Sequence, residues 1–171
     1  MSTIQDHSRW FELSDGTDTV KANVYDCLGF TQDYSPIGGS SVIRMMSGSA
    51  LKQTNWQKLR TQIAGSGGLP FGFSSLDYTK QITIKCAVPR SIVKPTNSFI
   101  TPAASRSDAG YTPTVMKLVD GFWVPVDRPG LAASYKLVYY PQLTCFMEPP
   151  QESTNPDSNA PISWSLTAEE V

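Results

Sequence analysis

The segment 162–168, Ile-Ser-Trp-Ser-Leu-Thr-Ala, alternates apolar and small hydroxyl residues without an exception. Side chains repeat with a period of two only in a strand, so a helix would scatter Trp164, Leu166 and Ala168 around its circumference. The segment therefore dictates a strand with one covered face, and a strand needs partners. Residues 135–147 supply a candidate, because Leu137, Tyr139, Leu143, Cys145 and Met147 share one parity. On the other parity Val138, Tyr140 and Phe146 stand among Lys136, Gln142 and Thr144, so that face is expected to meet more than bulk water. Unbroken, thirteen residues at about 3.3 Å each would span roughly 43 Å, against a common strand length of about 17–20 Å. A break at Pro141, which cannot donate to a ladder, would give two ordinary strands instead.

Between these runs lies 148–161, a polar stretch carrying Pro149, Pro150, Pro156 and Pro161. Connections this long are functional or disordered. Two readings follow: a surface loop, or an arm that reaches a neighbouring subunit. On the second, Tyr140, Phe146, Glu148, Glu152, Asn155 and Asp157 are the candidate subunit-contact residues.

Other strands read in the same way. Asp15-Gly16 and Asp120-Gly121 each sit between apolar runs, the pattern of a tight hairpin. Ile82, Ile84, Cys86 and Val88 alternate with Gln81, Thr83, Lys85 and Ala87. Residues 34–41 read as loop, 42–46 as a short strand ending at Ser47-Gly48, and Phe99-Ile100 as a strand inside a connection. Residues 69–76 form an aromatic turn. One helix is expected over about 54–64, capped by Thr54 or Asn55 and stopped by Gly65. Trp56, Leu59 and Ile63 then fall on the face that packs on a sheet. The whole is one β-rich domain, 1–171: antiparallel sheets forming a sandwich or split barrel, one short helix, and a C-terminal β-hairpin arm.

Composition narrows the function. Charged residues are 17% of the chain against a usual figure of about 25%, a deficit suited to extended protein contacts. A net charge of −1, with no basic cluster, argues against nucleic-acid recognition. No apolar run is long enough for a signal or a membrane span, which places synthesis in the cytoplasm. Cys27, Cys86 and Cys145 are odd in number and read as reduced, buried thiols. The single histidine, His7, leaves little for a triad or a metal site, so no catalytic residue, metal or cofactor is expected. Asp15, Asp18, Asp26 and Asp33 lack the ligand spacing of a calcium loop. Gly65, Gly67 and Gly68 follow the expected helix, where a phosphate loop would precede one. Arg106 and Asp108 read as an exposed turn holding an ordinary ion pair.

Two stretches, 44–68 continuing to Leu76-Asp-Tyr and Cys86-Ala-Val-Pro-Arg90, and 139–144 with 163–170, resemble small virion proteins of long-tailed bacteriophages. The resemblance covers about half of the chain and carries no motif with a chemical role. It implies a tail tube, distal-tail or baseplate component, assembled as a homo-oligomeric ring beside other tail proteins and located in the virion. The alternatives are a β-sandwich module binding a glycan or protein through Tyr140, Trp123 or Trp164, and a head decoration or connector protein.

Overall fold

The computed structural model describes residues 9–24, 27–67, 71–94, 101–126, 134–155, 157 and 162–171. The chain is mainly β, with antiparallel strands in two sheets. The larger runs in the order β2 (Thr19–Asn23), β1 (Trp10–Ser14), β5 (Ile82–Lys85), β10 (Gln142–Met147), β12 (Ile162–Glu170), β4 (Ala50–Gly67), β3 (Leu28–Arg44), with β11 (Gln151–Thr154) also paired to β12. The smaller is β6 (Arg90–Lys94), β9 (Tyr135–Tyr139), β7 (Thr114–Val119), β8 (Phe122–Pro125).

Both Asp-Gly hairpins form, β1–β2 and β7–β8. In the second, Asp120 (φ 49°) and Gly121 (φ 85°) both take the left-handed conformation that a tight two-residue turn requires. In the first, Asp15 closes the turn with its carboxylate. Oδ1 accepts the amides of Thr17 and Asp18, both at 2.7 Å, and Oδ2 accepts that of Asp77 at 2.9 Å. Those oxygens are thus engaged by backbone. The three amides, Asp77's foremost, lower its pKa from 3.8 to about 2. A depressed carboxylate stabilises the fold above its unfolded pKa and loses that contribution as pH falls through the folded one. Asp15→Asn is therefore expected to melt earlier than the parent at neutral pH. The gap should close as pH falls from about 4 to about 2, as denaturant melts across that range would record.

The core lies on one face of the larger sheet. Phe11, Leu13, Ile63, Ile82, Ile84, Leu143, Cys145, Trp164, Leu166 and Ala168 are all buried there. The predicted parity of β12 and β10 is the observed one, and Cys27, Cys86 and Cys145 are buried free thiols. Burial raises Cys86 to about 11 and Cys145 to about 12. The sheet curls around this core. Although β1 and β3 are far apart in strand order, the rings of Phe11 and Phe30 are 5.7 Å apart, and Phe11 lies 5.5 Å from Trp164. Gln32 of β3 latches the curl: its Oε1 accepts the amides of Ala87 and Val88, and its Nε2 donates to Thr61 Oγ1. The turn at 71–76 caps the core, with Phe71 and Phe73 against Trp164.

Three expectations are corrected. Residues 54–64 form no helix; they belong to the eighteen-residue strand β4. Its inward positions in the sheet include Thr61, buried because it pairs with Gln32, and Gly65, where a Cβ would sit 2.9 Å from Trp164 Cζ2. Gly65 clears space for an indole instead of stopping a helix. Residues 34–41 are not loop but part of the seventeen-residue β3; Pro36 is accepted because β3 is an edge strand. Finally, Pro141 does break 135–147, sending β9 to the smaller sheet and β10 to the larger. The C-terminal hairpin exists as the β10–β12 pair, but inside the sheet, and within the stretch between them β11 lies along β12. Phe99-Ile100 lies outside the described residues.

Candidate assembly surface

The element that projects is the β3–β4 hairpin. β12 pairs with β4 only from Arg60 to Gly67, so from Ala50 to Leu59 β4 has β3 alone beside it. Ten residues at about 3.3 Å make a ribbon roughly 33 Å long. Its base is anchored: Lys58 Nζ donates to the Val171 carbonyl, the Leu59 amide to Glu170 Oε2 at 2.9 Å, and Arg60 Nε to Glu169 Oε1 at 2.9 Å. Beyond the base, both faces are open.

The ribbon is thin where its strands face Trp56. Gly38 and Gly39 leave no room for side chains, since a Cβ on Gly38 would lie 2.4 Å from the Trp56 carbonyl and one on Gly39 2.7 Å from Trp56 Nε1. The indole lies across Gly39, beside a register shift between Gly39 and Ser40. Gly48 (φ 81°) turns the tip, where the Met45 amide donates to the Ser49 carbonyl. Around that turn Val42, Ile43, Met45, Met46 and Leu51 are all exposed. Trp56 is 52% exposed, so Trp56→Ala is expected to cost under about 1 kcal/mol in a denaturant melt. A helix–sheet contact at that indole would have cost about 3–5. Of the expected packing trio, Leu59 is partly buried at the ribbon base and only Ile63 is in the core.

Charge divides sharply along the chain. Residues 34–66 hold Arg44, Lys52, Lys58 and Arg60 and no acid; residues 147–171 hold Glu148, Glu152, Asp157, Glu169 and Glu170 and no base. The acidic segment borders a groove of about 580 Å³ on the larger sheet, lined by Phe146, Glu148, Gln151, Ser165, Thr167 and Glu169 among others. Phe146 is 54% exposed there. Among the predicted contact residues, Phe146 and Glu148 thus line one groove and Glu152 follows on β11. Asn155 and Asp157 are exposed beyond β11, Asn155 Oδ1 accepting the Asp157 amide. Tyr140 stands apart, its ring edge-on to Tyr111 at 4.8 Å.

A second cluster of charge lies against the outer face of β1 and β5. Lys85 bridges Glu12 at 3.0 Å and Asp108 at 3.3 Å, and Lys21 also meets Glu12. Arg106 is not exposed, as the sequence suggests, but wholly buried. Its Nε donates to Asp108 Oδ2 at 2.9 Å and its Nη1 to the carbonyls of Cys86 at 2.7 Å and Trp10 at 3.1 Å. Its guanidinium carbon is 3.4 Å from the Tyr111 ring centre and 4.1 Å from that of Trp10. Burial works against the Asp108 charge, but Arg106 and Lys85 outweigh it and hold its pKa below the usual range. The arrangement straps 104–111 onto the sheet.

The residues considered for ligand stacking are engaged otherwise. Trp164 is core, and Trp123 lies under Lys136 Nζ at 4.6 Å. Among the described residues no group of three acidic, histidine or cysteine side chains is placed to hold a metal ion, and no helix is long and apolar enough to cross a membrane. Comparison with known protein families, with curated proteins and with solved structures gives no match.

Proposed function

We propose that this chain is a structural subunit of a tailed-phage virion, self-assembling into a ring or stacked rings of the tail. The observation that carries this reading is the bare β3–β4 ribbon. A two-stranded hairpin is at best marginally stable alone in water, and among the described residues no further strand pairs with this one short of Arg60, while Val42, Ile43, Met45, Met46 and Leu51 are exposed near its tip. A second subunit laid against it covers both the apolar tip and the open edge of β3, which would otherwise invite uncontrolled pairing. The resemblance of 44–68 to tail proteins falls largely on this same ribbon and adds the biological setting.

The test is sedimentation over a range of protein concentration, with negative-stain images of the purified protein and of particles. Ordered rings support the reading. A monomer at the highest concentration, with no ring of this subunit in particles, overturns it.

A further inference from the structure

We infer that the ribbon tip of one subunit docks in the acidic groove beside β10 and β12 of the next, a head-to-tail contact between copies of this chain. The inference rests on the self-assembly reading and adds to it the receiving surface.

The argument is one of charge left over within the subunit. The opposed segments already meet once, at the ribbon base, where Lys58, Leu59 and Arg60 bond to Val171, Glu170 and Glu169. What remains on the basic side is Arg44, whose described bond is a 3.4 Å contact with the Gly48 carbonyl, and Lys52; neither has an ion pair among the described residues. Left on the acidic side are Glu148 in the groove and Glu152 and Asp157 on and after β11, exposed and likewise without an ion pair among the described residues. The two leftovers are opposite in sign. They cannot meet in one molecule, because the ribbon carries Arg44 away from the sheet whose outer face holds the groove.

Apolar surface matches as well. Met45 and Met46 follow Arg44 at the tip, and methionine is unbranched and adapts to an irregular surface. Phe146 offers an exposed ring in the groove, where thioether–aromatic contact is favourable. The two surfaces are different patches of one chain, so the contact is heterologous: repeated, it closes a ring or extends a stack.

Charge reversal tests this with little risk to folding, since all four residues are exposed. Arg44→Glu/Lys52→Glu and Glu148→Lys/Glu152→Lys are each expected to raise the protein concentration for half-assembly by roughly tenfold at low salt. The four changes combined in one chain should restore assembly. At an ionic strength of about 0.5 M, where the Debye length is roughly 4 Å, the single-surface variants should converge on the parent. If the groove variant assembles like the parent while the tip variant does not, or if the combined variant stays dispersed, the groove assignment is overturned and the arm reading stands. If neither variant differs from the parent, the assignment falls too. If the parent is a monomer throughout, the underlying assembly reading fails instead.

Discussion

Replacing residues 38–57 by an Asn-Gly turn should yield a folded subunit that no longer assembles. The cut falls beyond the Ile37↔Lys58 pair, so the anchors of Lys58, Leu59 and Arg60 to the chain end are kept. Every residue of the buried core lies outside the deletion. The removed ribbon contributes little burial, and a shorter connection lowers loop-closure entropy by roughly 0.6 kcal/mol per halving of length. Denaturant melts should therefore move by no more than about 1 kcal/mol, while sedimentation and negative stain show a monomer in place of rings. A truncated chain with the parent's melt that still forms the parent's particles would leave the ribbon without an assembly role. Replacing 148–161 in the same way is expected to cost stability, unlike a simple loop deletion, because β11 is paired with residues 162–165 of β12 and its loss leaves that ladder unpaired.

The projecting ribbon is less legible in the sequence than the strands of the core. Strands are legible when their covered positions are themselves apolar: Ile82 and Ile84, or Trp164, Leu166 and Ala168, announce a covered face locally. β4 hides its covered face because two of its positions are chosen by distant partners, Thr61 by Gln32 and Gly65 by Trp164. The outer half of the ribbon has no covered face at all, so nothing alternates, and Trp56, Leu59 and Ile63 fall at helical spacing by coincidence. Signals for the ribbon did exist. Residues 34–66 hold no acid, and comparable lengths of Ser, Thr and Gln-rich chain flank the Ser47-Gly48 turn. The exposure of Phe146, Glu148 and Glu152, the proposed contact residues, is legible from parity and polarity. That of their opposite number at the tip is not, since an exposed apolar tip looks like the end of an ordinary buried strand.

Arg106→Met should be among the most damaging single substitutions in the chain, costing about 3–5 kcal/mol in a denaturant melt, the range for breaking a buried ion pair. The parent side chain joins three acceptors, the carbonyls of Trp10 and Cys86 and the carboxylate of Asp108; Tyr111 Oη also donates to the Trp10 carbonyl and Lys85 Nζ to Asp108, so the Cys86 carbonyl is the one that depends on Arg106 among the described bonds. Leaving the Cys86 carbonyl buried and unbonded costs about 1–3 kcal/mol, and Trp10 and Asp108 each lose one of two donors. Methionine fills the slot between Trp10 and Tyr111 but offers no donor, so the loss isolates hydrogen bonding from packing. Lysine keeps the charge yet lacks the planar fork that reaches several acceptors at once, and Arg106→Lys should recover only part of the stability. Asp108→Asn should cost less than Arg106→Met, because Asp108 is partly exposed and Arg106 keeps its two carbonyls. Against a typical total stability of about 5–15 kcal/mol, the methionine variant stands close to unfolding at 37 °C. The strap it releases lies on the outer face of β1, β5 and β10, and Arg106 itself belongs to neither the ribbon nor the lining of the acidic groove. Assembly of whatever fraction remains folded should therefore be unchanged, which separates this residue from the contact residues. A loss under about 1 kcal/mol for Arg106→Met would mean that water reaches those carbonyls once the guanidinium is gone, and that the strap is held by its Ser105↔Pro141 bridge and the Tyr111–Trp10 hydrogen bonds instead.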